Sequence, residues 1–271
     1  MPDVITSFTN PTVKRYRSLA ARKHRRREGA FTVEGLQPVW FAVRSEWPVD
    51  TLIVAPDLLT NEAAWQMVDE AGRDGIAVIW VSRDVFAHLS DRDGPSGLAA
   101  IVHGVVSGIA DFQPSGSGPV VALHHVGNPG NVGAILRSAD ASGAAGLLLV
   151  GPCADPLAPA AVKASMGSLF SVPIAALDGA DALFEWAAVV GRPVVAITGS
   201  AAGTLWRAPI PSTSVLLFGS EGDGLPGEVA SMCEAALAIP MQGSAESLNL
   251  ATAVSIALFE MSRRRVVGEQ Q

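Results

Sequence analysis

Cysteine is nearly absent from this chain. Two occur in 271 residues, Cys153 and Cys233, far apart and with neither a Cys-x-x-Cys nor a histidine pair beside them. That spacing excludes a disulfide framework and a zinc site, and it leaves two reduced, packed thiols with no metal expected. Long hydrophobic runs are missing as well: the longest mostly apolar stretches fall far short of the ~18 residues needed to cross a bilayer. Neither end carries a secretory apolar core, so a soluble, cytoplasmic protein is expected. No internal repeat is evident. Unpaired negative charge is not lacking: the formal net charge is −7, which argues against a polyanionic partner if the charge is evenly spread.

It is not evenly spread. Lys14, Arg15, Arg17, Arg22, Lys23, Arg25, Arg26 and Arg27 fall in one short segment, and the rest of the chain is distinctly acidic. Cations packed this closely repel one another unless something neutralises them, and a polyanion such as RNA is the natural candidate. The bland alternative is a solvated charged helix. A hydrophobic content of 49% is enough for a proper core, and the length suits two domains.

The pattern alternates strand and helix. Asn10-Pro11 favours a helix start, with Val13, Tyr16 and Leu19 inward and the cations outward. Thr51–Ala55 and Ile76–Val81 read as buried strands on either side of an amphipathic helix using Ala64, Trp65, Val68 and Ala71. Residues 1–107 are expected to form a small α/β domain, residues 108–118 a Gly/Ser/Pro-rich linker, and residues 119–271 a second domain. There, strands such as GLLLVG and VLLFG are apolar on both faces, as parallel strands covered by helices must be. Helices are expected from about Val132 to Ala141 and from about Pro226 to Ala235, and a buried one carries Leu250, Val254, Leu258 and Met261 at helical spacing.

In parallel sheets ligands sit at the carboxyl ends of the strands, where the polar, glycine-bearing loops fall here. The first is GNPGN. Its glycines depart from Gly-x-Gly-x-x-Gly, and Asp155 follows a Gly-Pro-Cys loop instead of ending a strand, so a dinucleotide site is not indicated. Asn131 stands at the start of the helix, and Arg137 lies about 9 Å up its axis; helical side chains lean back toward the N-terminus, so Arg137 can reach the same mouth. An Asn cap and a surface arginine is the plain alternative. Glu221 sits among glycines after a buried strand, where a carboxylate can orient a hydroxyl, a cation or a loop. Ser247 and Asn249 precede the last helix, as caps or as ligands. Adjacent His124 and His125 are expected to point to opposite faces of a strand, against a shared metal.

Taken in order, NPGNVGAILRSAD, LLFGSEGDGLP and IPMQGSAESLNLATAVSIALFE resemble the three signature motifs of the SpoU (TrmH-like) RNA ribose 2′-O-methyltransferases of the SPOUT superfamily. KASMGSLFSVP is similar to the family's connecting segment, and SFTNPTVKRYRSLAARKHRRREGAFTVEG to the start of its N-terminal domain. The resemblance implies an α/β fold: a C-terminal parallel-sheet domain with a deep trefoil knot, plus a smaller ribosomal-protein-like α/β domain that binds RNA through the basic segment (Lys14, Arg15, Arg22, Lys23, Arg25, Arg26, Arg27). It implies S-adenosylmethionine held by backbone groups of Thr198, Gly199, Gly219, Ile239, Met241 and Leu248. It also implies a homodimer, and functional roles for Asn131, Arg137, Glu221, Ser247 and Asn249, with Arg137 matching the catalytic arginine. Many relatives carry Asp where this chain has His124 or His125, so no role passes to the histidines. Ribosomal RNA is the preferred substrate over tRNA. A non-catalytic RNA-binding protein of the same fold and, more remotely, a nicotinamide-dependent oxidoreductase are the alternatives.

Overall fold

The computed structural model describes residues 3–91 and 94–268; the outer ends of the two expected domains, at 1 and 271, lie outside them. Two compact units emerge, one of residues 1–105 with 155–171, the other of residues 106–154 with 172–271.

In the first unit, β1 (Val4–Ile5), α1 (Pro11–Ser18), α2 (Arg22–Glu28), β2 (Ala30–Glu34), α3 (Leu36–Arg44), β3 (Val49–Val54), α4 (Glu62–Arg73), β4 (Ala77–Val81), α5 (Arg83–Leu89) and β5 (Leu98–His103) build a mixed sheet in the order β1-β4-β3-β5-β2. Pro11 at the first helical position and the Asn10 side chain, which accepts from the Thr12 N–H, start α1. Val13 and Tyr16 bury against Val85, Phe86 and Leu89 of α5.

The expected single basic helix is broken after Ser18, and α2 stops at Gly29 in the left-handed conformation (φ 57°). The break corrects the expectation that every cation faces outward. Arg25 is buried, 5% exposed, its guanidinium 2.7 Å from Asp155 and donating to the Leu19 and Ala20 carbonyls. Those carbonyls are exposed by the end of α1, and Arg25 caps them. Asp155 thus serves a salt bridge, not a ribose.

The second unit runs β6 (Ser107–Gly108), β7 (Val120–His124), α6 (Pro129–Ser142), β8 (Gly146–Val150), then, beyond α7 (Pro159–Ser165) of the first unit, β9 (Ile174–Leu177), α8 (Ala180–Val190), β10 (Val194–Ile197), β11 (Gly203–Thr204), β12 (Val215–Phe218), α9 (Gly227–Ser231), β13 (Ala235–Ala238) and α10 (Leu250–Gly268). Every neighbouring pair in its sheet is parallel, in the order β11-β13-β10-β12-β7-β8-β9-β6. The strands are apolar on both faces because both are covered: all five residues of β8 are buried. Leu148 and Leu217 are fully buried in this core, each worth about 1.5–3 kcal/mol of apolar transfer.

The stretch expected to be a linker contributes β6 to the sheet edge and buries Phe112 in the core. KASMGSLFSVP, by contrast, lies largely with the first unit, where Phe170 stacks on Phe31 at 6.2 Å. Two helices differ from the periodicity. α6 starts three residues early because Asn128, not Asn131, is its cap, and α9 ends at Ser231 because Ala235 already belongs to β13; Pro226 is its cap residue rather than its first helical residue.

Candidate active site

The sheet order positions the site. The chain steps from β7 outward through β8 and β9, then returns to the opposite side, where β12 lies between β7 and β10. Loops leaving the carboxyl ends of β10, β12 and β13 converge, as expected where strand order reverses. They line a cavity of about 610 Å³ whose wall includes Thr198, Gly199, Gly219, Ile239, Met241 and Leu248, together with Glu221, Ser247 and Asn249. Gly219 is required by packing: a Cβ there would collide with the Gly224 and Leu225 backbone, folded back by a Ser220–Gly224 bridge.

A string of hydrogen bonds joins the loop after β7 to the loops after β12 and β13. The Asn128 side chain accepts from the Gly130 and Asn131 N–H groups at 2.8 and 3.3 Å, which leaves the Asn131 side chain free of capping. Asn131, buried at 9% exposure, donates its amide Nδ2 to Glu221 Oε1 at 2.8 Å. Its Oδ1 accepts from Asn249 Nδ2 at 3.3 Å. Asn249 in turn uses its own Oδ1 to accept from Ala251 and Thr252 N–H at 2.9 and 3.3 Å, capping α10. Asn249 is therefore a cap and a member of the string at once; Ser247 is an exposed wall residue before it.

Behind these loops α6 and α10 pack together. Ser138 and Ser255 hydroxyls meet at 2.7 Å, and Arg265 donates to the Ser142 and Gly143 carbonyls at 2.6 and 3.1 Å, capping the end of α6. Arg137 is exposed on α6, is not part of the cavity wall, and among the described residues has no hydrogen-bond or ion-pair partner. Asn131 and Arg137 thus share a helix but not an environment.

Sequence reasoning missed two wall carboxylates, Asp223 and Glu246. Their signal was present: each lies in a motif loop, within two residues of Glu221 or Ser247. The two histidines need a correction. His125 takes a left-handed conformation (φ 55°), which folds its ring back onto His124, and the rings stack at 4.0 Å. They are neighbours, not residues on opposite faces. Burial and then the adjacent ring hold His124 below its usual value. Burial pushes the Cys153 thiol up and Cys233 to about 11, so both stay protonated at neutral pH.

Residues 118–259 match the model of the SpoU rRNA Methylase family, more than half of the chain, and residues 10–100 match that of an MRM3-like substrate binding domain. The chain belongs to the SpoU rRNA methylase family. Among SpoU relatives, a 23S rRNA (uridine(2479)-2′-O)-methyltransferase of Streptomyces viridochromogenes is 31% identical, over 92% of this chain and 88% of its own length. An AdoMet-bound rRNA methyltransferase from Sinorhizobium meliloti is 36% identical and superposes with a TM-score of 0.86 over 98% of both chains. A structure reported for 2-OH methylation of C/U34 on tRNA is 32% identical with a TM-score of 0.51, and it covers 56% of this chain and 98% of its own. SpoU membership accounts for the way LLFGSEGDGLP and IPMQGSAESLNL line one cavity while NPGNVGAILRSAD is tied to both through Asn131.

Proposed function

We propose that the protein methylates a ribose 2′-hydroxyl of ribosomal RNA, a reading carried by the string Glu221, Asn131, Asn249 that ties three motif loops into one polar site. The reaction class follows from the family: the chain is a SpoU-family RNA 2′-O-methyltransferase that uses S-adenosylmethionine. Preference for ribosomal RNA is supported by the relatives named for it, which span nearly the whole chain, whereas the tRNA-associated structure accounts for little more than half. In the same reading residues 1–107 bind substrate, residues 119–271 catalyse, and the second unit carries the family's trefoil knot in a cytoplasmic enzyme.

The cavity suits the cofactor. Its volume is in the range of small-molecule sites. Glu221, Asp223 and Glu246 line it and, among the described residues, no lysine, arginine or histidine does, which favours a sulfonium cation. Thr198, Gly199, Gly219, Ile239, Met241 and Leu248 would hold it through backbone groups and apolar contact. When bound, S-adenosylmethionine supplies a methyl group already activated for nucleophilic attack. What remains for the protein is to align a ribose hydroxyl, itself a poor nucleophile, and to stabilise the alkoxide that develops. In this reading the Asn131 amide, held by Glu221 and Asn249, and the Ser247 hydroxyl orient the ribose.

Arg137 is assigned to the alkoxide. A guanidinium with a pKa above ~12 rarely gives up its proton, so it acts as a fixed positive charge and not as a base. Its exposure supports a site completed in a homodimer, in which α6 and α10 of two copies meet. Phe259 and Val266 on α10 are 53% and 55% exposed, and a copy packed there would cover them. Arg137→Ala is expected to lower methyl transfer by about two orders of magnitude or more while calorimetric S-adenosylmethionine affinity stays within twofold. Retained turnover removes Arg137 from the mechanism.

A further inference from the structure

The eight cations of the N-terminal segment sort into two groups. Arg15 is held by Glu28 at 3.1 Å and Asp50 at 2.6 Å, Arg25 by Asp155, and Arg27 reaches Glu28 at 3.1 Å. Lys14, Arg17, Arg22, Lys23 and Arg26 face solvent, and among the described residues none has a carboxylate partner. One of the second group, Arg17, is linked through a histidine to an exposed aromatic. Phe8, in the turn before α1, is 49% exposed, and its ring meets that of His88, in the last turn of α5, edge-on with centroids 4.9 Å apart. His88 is exposed too, and its Nε2 is hydrogen-bonded to the Arg17 guanidinium. Lys14 lies one turn before Arg17, on the same exposed side of α1.

Val13 and Tyr16 pack on α5, and Arg17 and His88 flank that contact at the surface, where they meet. An aromatic ring left half in water, and joined through His88 to an arginine without a carboxylate partner, is poorly matched to solvent alone. It is well matched to a nucleotide, which offers a flat apolar face and an anion about one sugar away. A duplex hides its base faces, so the fit is to a single strand.

We propose that Phe8, Lys14, Arg17 and His88 form a docking site for one unpaired nucleotide of the RNA substrate, the base stacking on Phe8 and the flanking phosphate held by Lys14 and Arg17. His88 is a positioning residue that orients Arg17. The proposal rests on the RNA reading above but names residues outside the catalytic loops, so the two can fail separately.

The test uses the full-length protein and fluorescence anisotropy with two labelled RNA probes, a decauridylate and a hairpin duplex. Phe8→Ala weakens decauridylate binding by about tenfold with an unchanged salt slope. Phe8→Leu, which keeps apolar bulk and guards against a folding artefact, weakens it to a similar degree. Lys14→Gln with Arg17→Gln weakens it and lowers the salt slope by about 0.7, for the one phosphate no longer neutralised. Hairpin affinity changes less than twofold in the Phe8 variants. Wild-type affinity for decauridylate in both Phe8 variants overturns the site while leaving the enzyme an RNA methyltransferase. Loss of self-association in Phe8→Ala also overturns it, by making the patch an interface between copies. Absence of any RNA binding by the wild-type protein overturns this proposal and the RNA reading together.

Discussion

At the scale of the residue, polar side chains near the site do more than one job, and the jobs are compatible because each uses a different atom. Asn249 caps α10 with its oxygen and reaches Asn131 with its amide nitrogen. Asn128 takes the capping of α6, which frees the Asn131 side chain to bridge Glu221 and Asn249. Replacing Asn131 by Ala strands the donor of Asn249 and one oxygen of Glu221. We expect it to cost about 1–3 kcal/mol of stability, read by denaturant unfolding, and to reduce methyl transfer more than cofactor affinity. Equal losses in both would make Asn131 a cofactor-site residue. Arg25 offers the opposite lesson, since its basic character is spent inside the protein. Arg25→Met leaves Asp155, whose side chain is 14% exposed, without its partner. A loss of about 3 kcal/mol with an unaltered salt dependence of RNA binding is expected, and a flattened salt slope would return Arg25 to the docking surface.

At the scale of the element, what could be read from sequence was set by periodicity and what could not was set by partners. The apolar strands and the parallel sheet were legible because burial on both faces leaves an unbroken run such as that of β8. The inward face of α10 was legible from Leu250, Val254, Leu258 and Met261, all buried. Helix boundaries were less so: Asn128 and Asn131 are both good caps, and only the fold shows which one turns inward. The break between α1 and α2 was hidden because a run of cations carries no apolar period, and the burial of Arg25 depends on a carboxylate 130 positions away. Stacking of His124 on His125 depends on one left-handed residue, which no periodicity encodes. One element also carries a pH signal. On α10, Glu260 accepts from Arg263 at 2.8 Å and Arg264 at 2.7 Å. Hydrogen bonding to Arg263 first, and then to Arg264 against the opposing effect of burial, lowers its pKa from 4.5 to about 2. A lowered carboxylate stabilises the fold above its unfolded value and loses that contribution as pH falls through the folded one. The melting-temperature gap between wild type and Glu260→Gln should therefore be full above pH 5, equivalent to about 1 kcal/mol, and vanish near pH 2. A gap independent of pH would show that the ion pairs contribute nothing.

At the scale of the whole molecule, charge and chemistry are divided between two units. The first holds the basic N-terminal segment, in which Lys14, Arg17, Arg22, Lys23 and Arg26 have no carboxylate partner among the described residues, and the second a carboxylate-lined cavity at the carboxyl ends of β10, β12 and β13. Among the described residues no helix is long and apolar enough to cross a membrane. The division fits an enzyme that holds a polyanion with one part and a sulfonium with the other. Its most direct test is transfer of labelled methyl from S-adenosylmethionine to purified ribosomal RNA and to tRNA, followed by mapping of alkali-resistant 2′-O-methylated linkages. The account predicts a discrete 2′-O-methyl position in ribosomal RNA that disappears with Arg137→Ala. Label on a base, or on tRNA alone, would contradict it.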